Sequence, residues 1–310
     1  MDAPLYTDLA DIPEGGCAFW AITPDQMRLR FALWSGGTRG TVLIFPGRTE
    51  YIEKYGRVVA RILEQGFSAL VIDWRGQGLS TRPDGSTGLG HVDDFDAYQT
   101  DIETILSHDA AQNLHKPLFL LAHSMGGCIG LRALHRGVPI AAAVFSAPMW
   151  GIKLPPIIGP IIPTMACLLN RMGLGQRHVP GTDGRYYVTR QDFDGNELTT
   201  CAETYDWLRT HLAAHPDLGL GGPGIAWLDQ ACRETVALMR KPAPNLPIMT
   251  FLGGDETIVC SDVIQQFHAK PGSGSLVTCP GARHEILMET PEIQGEVWPR
   301  IMAFLDQSPR

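Results

Sequence analysis

Cysteine is sparse and unpatterned in this chain. The seven cysteines among 310 residues are an odd number, scattered from Cys17 to Cys279 with no C-x-x-C pair, which argues against a disulfide framework or a structural zinc site. Reduced, packed thiols are expected instead. Long apolar runs are also missing. A membrane-spanning helix needs roughly 18 or more apolar residues in a row, and the nearest approach, residues 157–169, is broken by Pro160 and Pro163. Clustered Lys and Arg are lacking and the formal charge is −8, so a nucleic-acid partner is not expected. The acidic start, with Asp2, Asp8 and Asp11, has neither the basic nor the apolar region of a secretory signal, which predicts a cytoplasmic protein. Asp73-Trp-Arg-Gly-Gln-Gly78 carries a G-x-G but lacks the G-x-G-x-x-G phosphate loop, so a dinucleotide site is not expected there. His211 and His215 are spaced i, i+4 without the glutamate of a zinc-protease helix. Neither a cofactor nor a metal is expected.

What is present is an ordinary globular composition, 44% hydrophobic and 19% charged, long enough for roughly two domains or one core with an insertion. Residues 17–22 and 27–34 are β-rich runs around a turn, and read as an opening antiparallel pair. Strand and helix then alternate. Residues 41–45, 68–72, 118–122 and 140–145 are short continuous apolar runs, as parallel strands covered on both faces require. Residues 51–65, 95–108 and 125–136 between them carry helical spacing. The alternation predicts an α/β fold with a doubly wound, mostly parallel sheet. After Pro148 the pattern becomes proline- and glycine-broken, with helical patches at 196–215 and 225–239. It resumes with a strand at 247–252, a helix at 261–269, a strand at 275–279 and a helix at 291–305. The expected organisation is therefore a core of residues 1–149 and 236–310 with a helical cap inserted at 150–235.

The densest chemical signal is Leu118-Phe-Leu-Leu-Ala-His-Ser-Met-Gly-Gly127. A serine at a sharp strand-to-helix turn, flanked by small residues, is a nucleophile elbow. Ala122 stands where the usual pattern has glycine, and Gly126 fills the second small position. A serine nucleophile needs a base, and the base an orienting carboxylate, in the chain order Ser, acid, His. His284 follows the last strand and precedes the last helix, where the base belongs. Two adjacent carboxylates, Asp255 and Glu256, follow the preceding strand. The loop spacing G-x-x-D-x-x-V is met by Gly253, Glu256 and Val259, which favours Glu256 and keeps Asp255 as the alternative. The oxyanion of an acyl-transfer intermediate needs two N–H donors. Met125, next to the nucleophile, is one. In the turn Phe45-Pro-Gly-Arg-Thr-Glu50, Pro46 has no N–H, and Arg48 is the other. The Arg48 side chain is expected in a salt bridge, with Glu50 as partner, or against a substrate phosphate.

These motifs together resemble the α/β-hydrolase superfamily, in its monoacylglycerol lipase and lysophospholipase L2 (serine aminopeptidase S33-type) branch. The residues carrying the resemblance are Pro46-Gly-Arg-Thr-Glu50 with Lys54-Tyr55, Asp73 to Ser80, Gly90-His-Val with Phe95 and Tyr98, Ala122 to Gly127 and His284-Glu-Ile-Leu287. They span residues 40–305. The resemblance implies a serine hydrolase cleaving carboxylic esters through an acyl-enzyme, with lysophospholipid or monoacylglycerol-like substrates and no cofactor. It also supports Glu256, because related enzymes carry Glu at this place. An aminopeptidase or thioesterase of the same fold, or a non-catalytic ligand-binding relative, are the other expectations. The aminopeptidase needs acids to hold an ammonium, with Asp192, Asp194 and Glu197 as candidates. The aliphatic stretch Ile152 to Leu169 is expected to form cap core, line an acyl channel or touch a membrane surface transiently.

Overall fold

The computed structural model describes residues 2–8, 10–82 and 88–308. Eight strands form one sheet in the order β1-β2-β4-β3-β5-β6-β7-β8. They are β1 (Gly16–Ile22), β2 (Arg28–Trp34), β3 (Thr41–Phe45), β4 (Ser68–Asp73), β5 (Leu118–His123), β6 (Ala142–Ser146), β7 (Ile248–Gly253) and β8 (Ser275–Cys279). β1 and β2 pair antiparallel, β2 meets β4 antiparallel, and every later pairing is parallel. The apolar runs become strands because β3 to β6 are buried at every position, as a sheet sandwiched between helices requires. The crossover helices are α1 (Gly56–Glu64), α2 (Ala97–Leu106) and α3 (Met125–His135). α8 (Ser261–His268) and α9 (Pro291–Gln307) complete the core after the insertion.

Between β6 and β7 lie α4 (Ile162–Leu169), α5 (Tyr187–Arg190), α6 (Ala202–Ala214) and α7 (Ile225–Met239). α4 forms where prolines suggested interruption. Pro163 sits in its first turn, where the missing N–H has no intrahelical partner to lose. α6 starts later than residue 196, because the Asn196 side-chain oxygen accepts from the N–H groups of Leu198 and Thr199 and builds a separate turn. The cysteines are all free. Cys128, Cys232 and Cys279 are buried, but Cys17 is exposed, against the expectation of packed thiols.

One buried charge network ties the antiparallel edge to the rest. Arg30 on β2 donates through Nε to Asp73 and through both terminal nitrogens to Glu53, each at 2.7 Å, and all three side chains are fully buried. Asp73 also accepts from the N–H groups of Ile52 and Leu79. A buried ion pair is tolerable only when its remaining hydrogen-bonding capacity is filled, and breaking one leaves an uncompensated charge. Arg30→Met is therefore expected to lower the unfolding free energy by about 3–5 kcal/mol in urea titration. A loss below about 1 kcal/mol would mean that the network is marginal to stability.

Candidate active site

β5 ends at His123, and the chain turns at Ser124 with φ 50° and ψ −119° before α3 begins at Met125. A non-glycine residue in that region costs of order 1–3 kcal/mol and persists only where its surroundings hold it. Here Ser124 N donates to the Ser146 carbonyl at 3.1 Å, and the Ser124 carbonyl accepts from Met149 and Gly127 at 2.8 and 2.9 Å. Gly126 is required by packing. A Cβ there would lie 2.0 Å from the Phe45 carbonyl oxygen, so its absence lets α3 close onto the turn after β3. Ala122 lies within β5, opposite Phe45 and Phe145, and its methyl group is accommodated.

Three of the residues singled out in the sequence form one hydrogen-bonded chain. The Ser124 hydroxyl donates to His284 Nε2 at 2.9 Å, and His284 Nδ1 donates to Glu256 Oε2 at 2.7 Å. This assigns the tautomer from the partners, since a carboxylate only accepts. The second Glu256 oxygen accepts from the N–H groups of Ile258 and Val259 at 2.6 and 3.1 Å. Asp255 is exposed, and its N–H is spent on the Ala282 carbonyl. Glu256, not Asp255, faces His284. Burial pushes the Glu256 carboxyl up, but the adjacent imidazole and the two N–H donors outweigh it and hold the group below its ordinary 4.5. For His284, burial disfavours the imidazolium; the charge and hydrogen bond of Glu256, with Glu285 and Glu50 behind it, reverse this and raise it above 6.5.

In the turn beside Ser124 the Arg48 N–H is an unspent donor. Pro46 has no N–H, Gly47 donates to a Glu50 carboxylate oxygen, and Thr49 donates to the Gln77 side chain at 2.7 Å. Among the described residues, the N–H groups of Arg48 and Met125 meet no protein acceptor. A Cβ on Gly47 would stand 3.0 Å from the Ser124 Cβ, so turn and nucleophile are in contact.

Residues 36–291 match the serine aminopeptidase, S33 family. The chain belongs to that family. It is 30% identical to a probable lysophospholipase L2 of Haemophilus influenzae, over 86% of this chain and 84% of that one. It is 28% identical to lysophospholipase L2 of Escherichia coli K12, over 99% and 88%. In fold it is similar to a soluble variant of monoglyceride lipase from Saccharomyces cerevisiae, with TM-score 0.72, 22% identity and 94% of each chain covered. The sheet and its helices are the α/β-hydrolase fold.

Within this S33 family member, sequence reasoning missed a buried polar cluster under the site. Glu50 accepts from Gly47, from Tyr55 at 2.6 Å and from Lys54 at 2.5 Å, and Lys54 also reaches Glu285 at 2.5 Å. The i, i+4 spacing of Glu50 and Lys54 was its only signal. The expected Arg48–Glu50 bridge does not form, because Glu50 is fully occupied by these donors. Among the described residues, Glu50, His123 and Glu285 are the one group arranged to hold a metal ion, and Lys54 already supplies their cation. His123 Nδ1 donates to the Ser146 carbonyl at 3.0 Å, while its Nε2 has no hydrogen-bond partner and stands 3.6 Å from both glutamates. His211 pairs with the Tyr51 hydroxyl and His215 with Asp8, so neither is placed as a ligand.

A cavity of about 480 Å³ opens over Ser124 and His284. The segment between β6 and β7 supplies much of its apolar wall, including Val188, Leu208, Leu212 and Leu220, and Lys153, Arg185 and Arg190 also border it. Of the three candidate acids only Glu197 lines it; Asp192 and Asp194 do not. The raised His284 sets a pH signature. The base form grows as pH rises through its pKa, so kcat/KM for a p-nitrophenyl ester should climb with a midpoint above 6.5. Glu256→Gln should shift that midpoint to lower pH and cut kcat, whereas Asp255→Asn should leave it in place. A wild-type midpoint at or below 6.5, or the reverse order of the two variants, would contradict the assignment.

Proposed function

We propose that this chain is a serine hydrolase of carboxylic esters, with amphiphilic lysophospholipid or monoacylglycerol-like esters as its substrates. The Ser124–His284–Glu256 hydrogen-bonded chain carries this reading. Ser124 Oγ attacks the ester carbonyl as its proton passes to His284 Nε2, and Glu256 steadies the imidazolium through Nδ1–H. The N–H groups of Arg48 and Met125 hold the oxyanion, a contribution of about 2.7–4 kcal/mol per donor in such sites. Collapse of the intermediate expels the alcohol, which takes the proton from Nε2 and leaves the acyl group on Oγ. Water then gives its proton to His284 and attacks the ester, and the acid leaves as Ser124 recovers its proton. Each proton has a protein acceptor and each charge a partner, so the scheme runs without a cofactor.

Residues 150–235 act as the cap over a core made of 1–149 and 236–310. The apolar wall suits an acyl chain, and Lys153, Arg185 and Arg190 suit an anionic headgroup. The names of the two lysophospholipase relatives point the same way. An aminopeptidase needs negative charge at the substrate amine; of the lining acids, Glu50 and Glu285 are held by Lys54, which leaves Glu197 alone among Lys153, Arg185 and Arg190. Seven unbonded thiols fit a reducing compartment, and we read the location as the cytoplasm. No helix among the described residues is long and apolar enough to cross a membrane. However, Ile157, Ile158, Ile161, Met165, Leu168 and Met172 are each 49–94% exposed on one stretch of the cap. Large exposed apolar patches mark contact surfaces. This one continues from Ile152 and Lys153 at the cavity wall and has Arg171 beside it, so we assign it to the surface of lipid aggregates from which substrate is drawn.

Ser124→Ala should lower kcat by roughly 10⁴- to 10⁶-fold, and wild-type kcat/KM should rise with acyl length across p-nitrophenyl esters. Residual turnover in Ser124→Ala, or a sharp preference for acetate, would sink the mechanism or the substrate class respectively. A triple Ile157→Ser, Ile161→Ser, Met165→Ser variant should turn over vesicle-borne lysophospholipid several-fold more slowly while hydrolysing p-nitrophenyl butyrate at the wild-type rate. Equal rates on vesicles would remove the lipid-surface assignment.

A further inference from the structure

The half-buried Arg48 differs from the buried cations. Arg30, Lys54 and Arg75 each meet carboxylates, but among the described residues the Arg48 guanidinium meets none. Nη1 donates to the Gly221 carbonyl and Nη2 to the Leu89 carbonyl, both at 2.9 Å. Its Cζ lies 5.1 Å from the Trp227 ring centre, and Nε is enclosed without an acceptor. Burial brings its pKa down to about 10. Gly221 and Trp227 belong to the cap, and Leu89 to the loop before α2.

The two clamped segments are interleaved. A Cβ on Gly221 would lie 2.6 Å from the Gly88 carbonyl oxygen, and one on Gly90 2.6 Å from a Leu220 methyl carbon. Neither segment can shift alone, and the guanidinium fork holds both. The same residue carries an unspent N–H in the turn beside Ser124, and the next residue, Thr49, is in the left-handed region at φ 68°. An oxyanion donor works only within about 0.5 Å of its productive position. The turn is pinned on its other side by Trp74, which donates to the Pro46 carbonyl, and by Gln77, which bonds the Gly47 carbonyl and the Thr49 N–H. Arg48 itself is anchored only through its side chain, and Gly221 and Trp227 of the cap supply one of its two hydrogen bonds and its ring contact.

From this geometry we infer that the Arg48 guanidinium is a positioning group that couples the seating of cap residues 219–227 to the alignment of the Arg48 N–H at the nucleophile. The inference rests on the ester-hydrolase reading above. A seated cap arms the oxyanion donor; a displaced cap loses the Gly221 hydrogen bond and the ring contact, leaves the guanidinium held by Leu89 alone, and leaves the donor misaligned. The effect belongs in kcat, because the oxyanion exists only after attack.

The test uses p-nitrophenyl acetate, which has no acyl chain to fill the apolar wall, beside lysophosphatidylcholine. Wild type, Arg48→Met, Arg48→Lys, Trp227→Leu and the Arg48→Met/Trp227→Leu double variant are compared. Arg48→Met should cut kcat on the acetate by roughly 10- to 100-fold with KM nearly unchanged, and Arg48→Lys should recover part of it. Trp227→Leu should cut acetate kcat several-fold in the Arg48 protein and have no further effect in Arg48→Met. If Arg48→Met fails to fold, Arg48→Lys serves as the background for the same cycle. Normal acetate turnover in the variant with a raised KM for lysophosphatidylcholine would make the guanidinium a substrate-phosphate contact and overturn the coupling. So would an equal Trp227→Leu effect in both backgrounds. Failure of the underlying reading is separate: Ser124→Ala would then still hydrolyse the acetate.

Discussion

The strained backbone of Ser124 is the constraint around which this site is organised. A φ of 50° on a residue with a Cβ is unfavourable by itself, and the hydrogen bonds to Ser146 and Met149 tie the cost of relaxing it to the end of β6. Because β5 and β6 are parallel neighbours buried on both faces, the elbow cannot flatten without breaking their ladder. The strain also dictates the neighbours. Gly126 must lack a side chain so that the first turn of α3 can approach the Phe45 carbonyl, and this approach sets the β3 turn beside the hydroxyl.

Holding that turn requires polar groups in a dry place, where each must find partners. A buried carboxylate costs several kcal/mol unless donors surround it. Glu50 is supplied by Gly47, Lys54 and Tyr55, and Glu285 by Lys54. The arrangement has an electrical consequence. Two carboxylates around one ammonium leave a net negative charge behind His284, which adds to Glu256 in favouring the imidazolium. His123 feels the same carboxylates but stays below its ordinary value, because burial dominates and no carboxylate comes within hydrogen-bonding distance. Two histidines whose rings lie 4.7 Å apart thus diverge through a difference of about 1 Å in the distance to the nearest carboxylate.

How much of this could be read from the chain follows the range of each interaction. The parallel strands were legible because burial on both faces leaves a local mark, a run of apolar residues. The positions of Ser124 and His284 were legible for a related reason: Ser124 directly follows a recognisable strand, and His284 lies in the loop between a recognisable strand, β8, and the last helix. Between Asp255 and Glu256 the spacing to Val259 was informative, since the carboxylate that reaches the Val259 N–H is turned toward His284. The Arg48 side chain was not legible. Its partners are carbonyls at Leu89 and Gly221, 41 and 173 residues away, and carbonyls leave no trace in side-chain composition. The same holds for Lys54 and Glu285, 231 residues apart. α4 was obscured differently, since a proline breaks a helix interior but begins a helix well, and periodicity alone does not distinguish the two.

The insertion between β6 and β7 differs from the rest of the chain in what it must satisfy. The core buries its apolar residues because folding requires it, whereas α4 and its flanks leave Ile157, Ile161, Met165 and Met172 about half or more exposed. The interior side of the same insertion supplies Leu208, Leu212 and Leu220 to the cavity. One insertion is thus apolar on two surfaces, one toward the serine and one toward solvent, with Lys153, Arg185 and Arg190 at the cavity between them. A small polar ester would need neither surface. On the proposed reading, an amphiphile that leaves an aggregate tail-first uses both, and the cations then meet the headgroup that follows. The exposed surface costs solubility, and the overall charge of −8 offsets it by keeping copies of the chain apart.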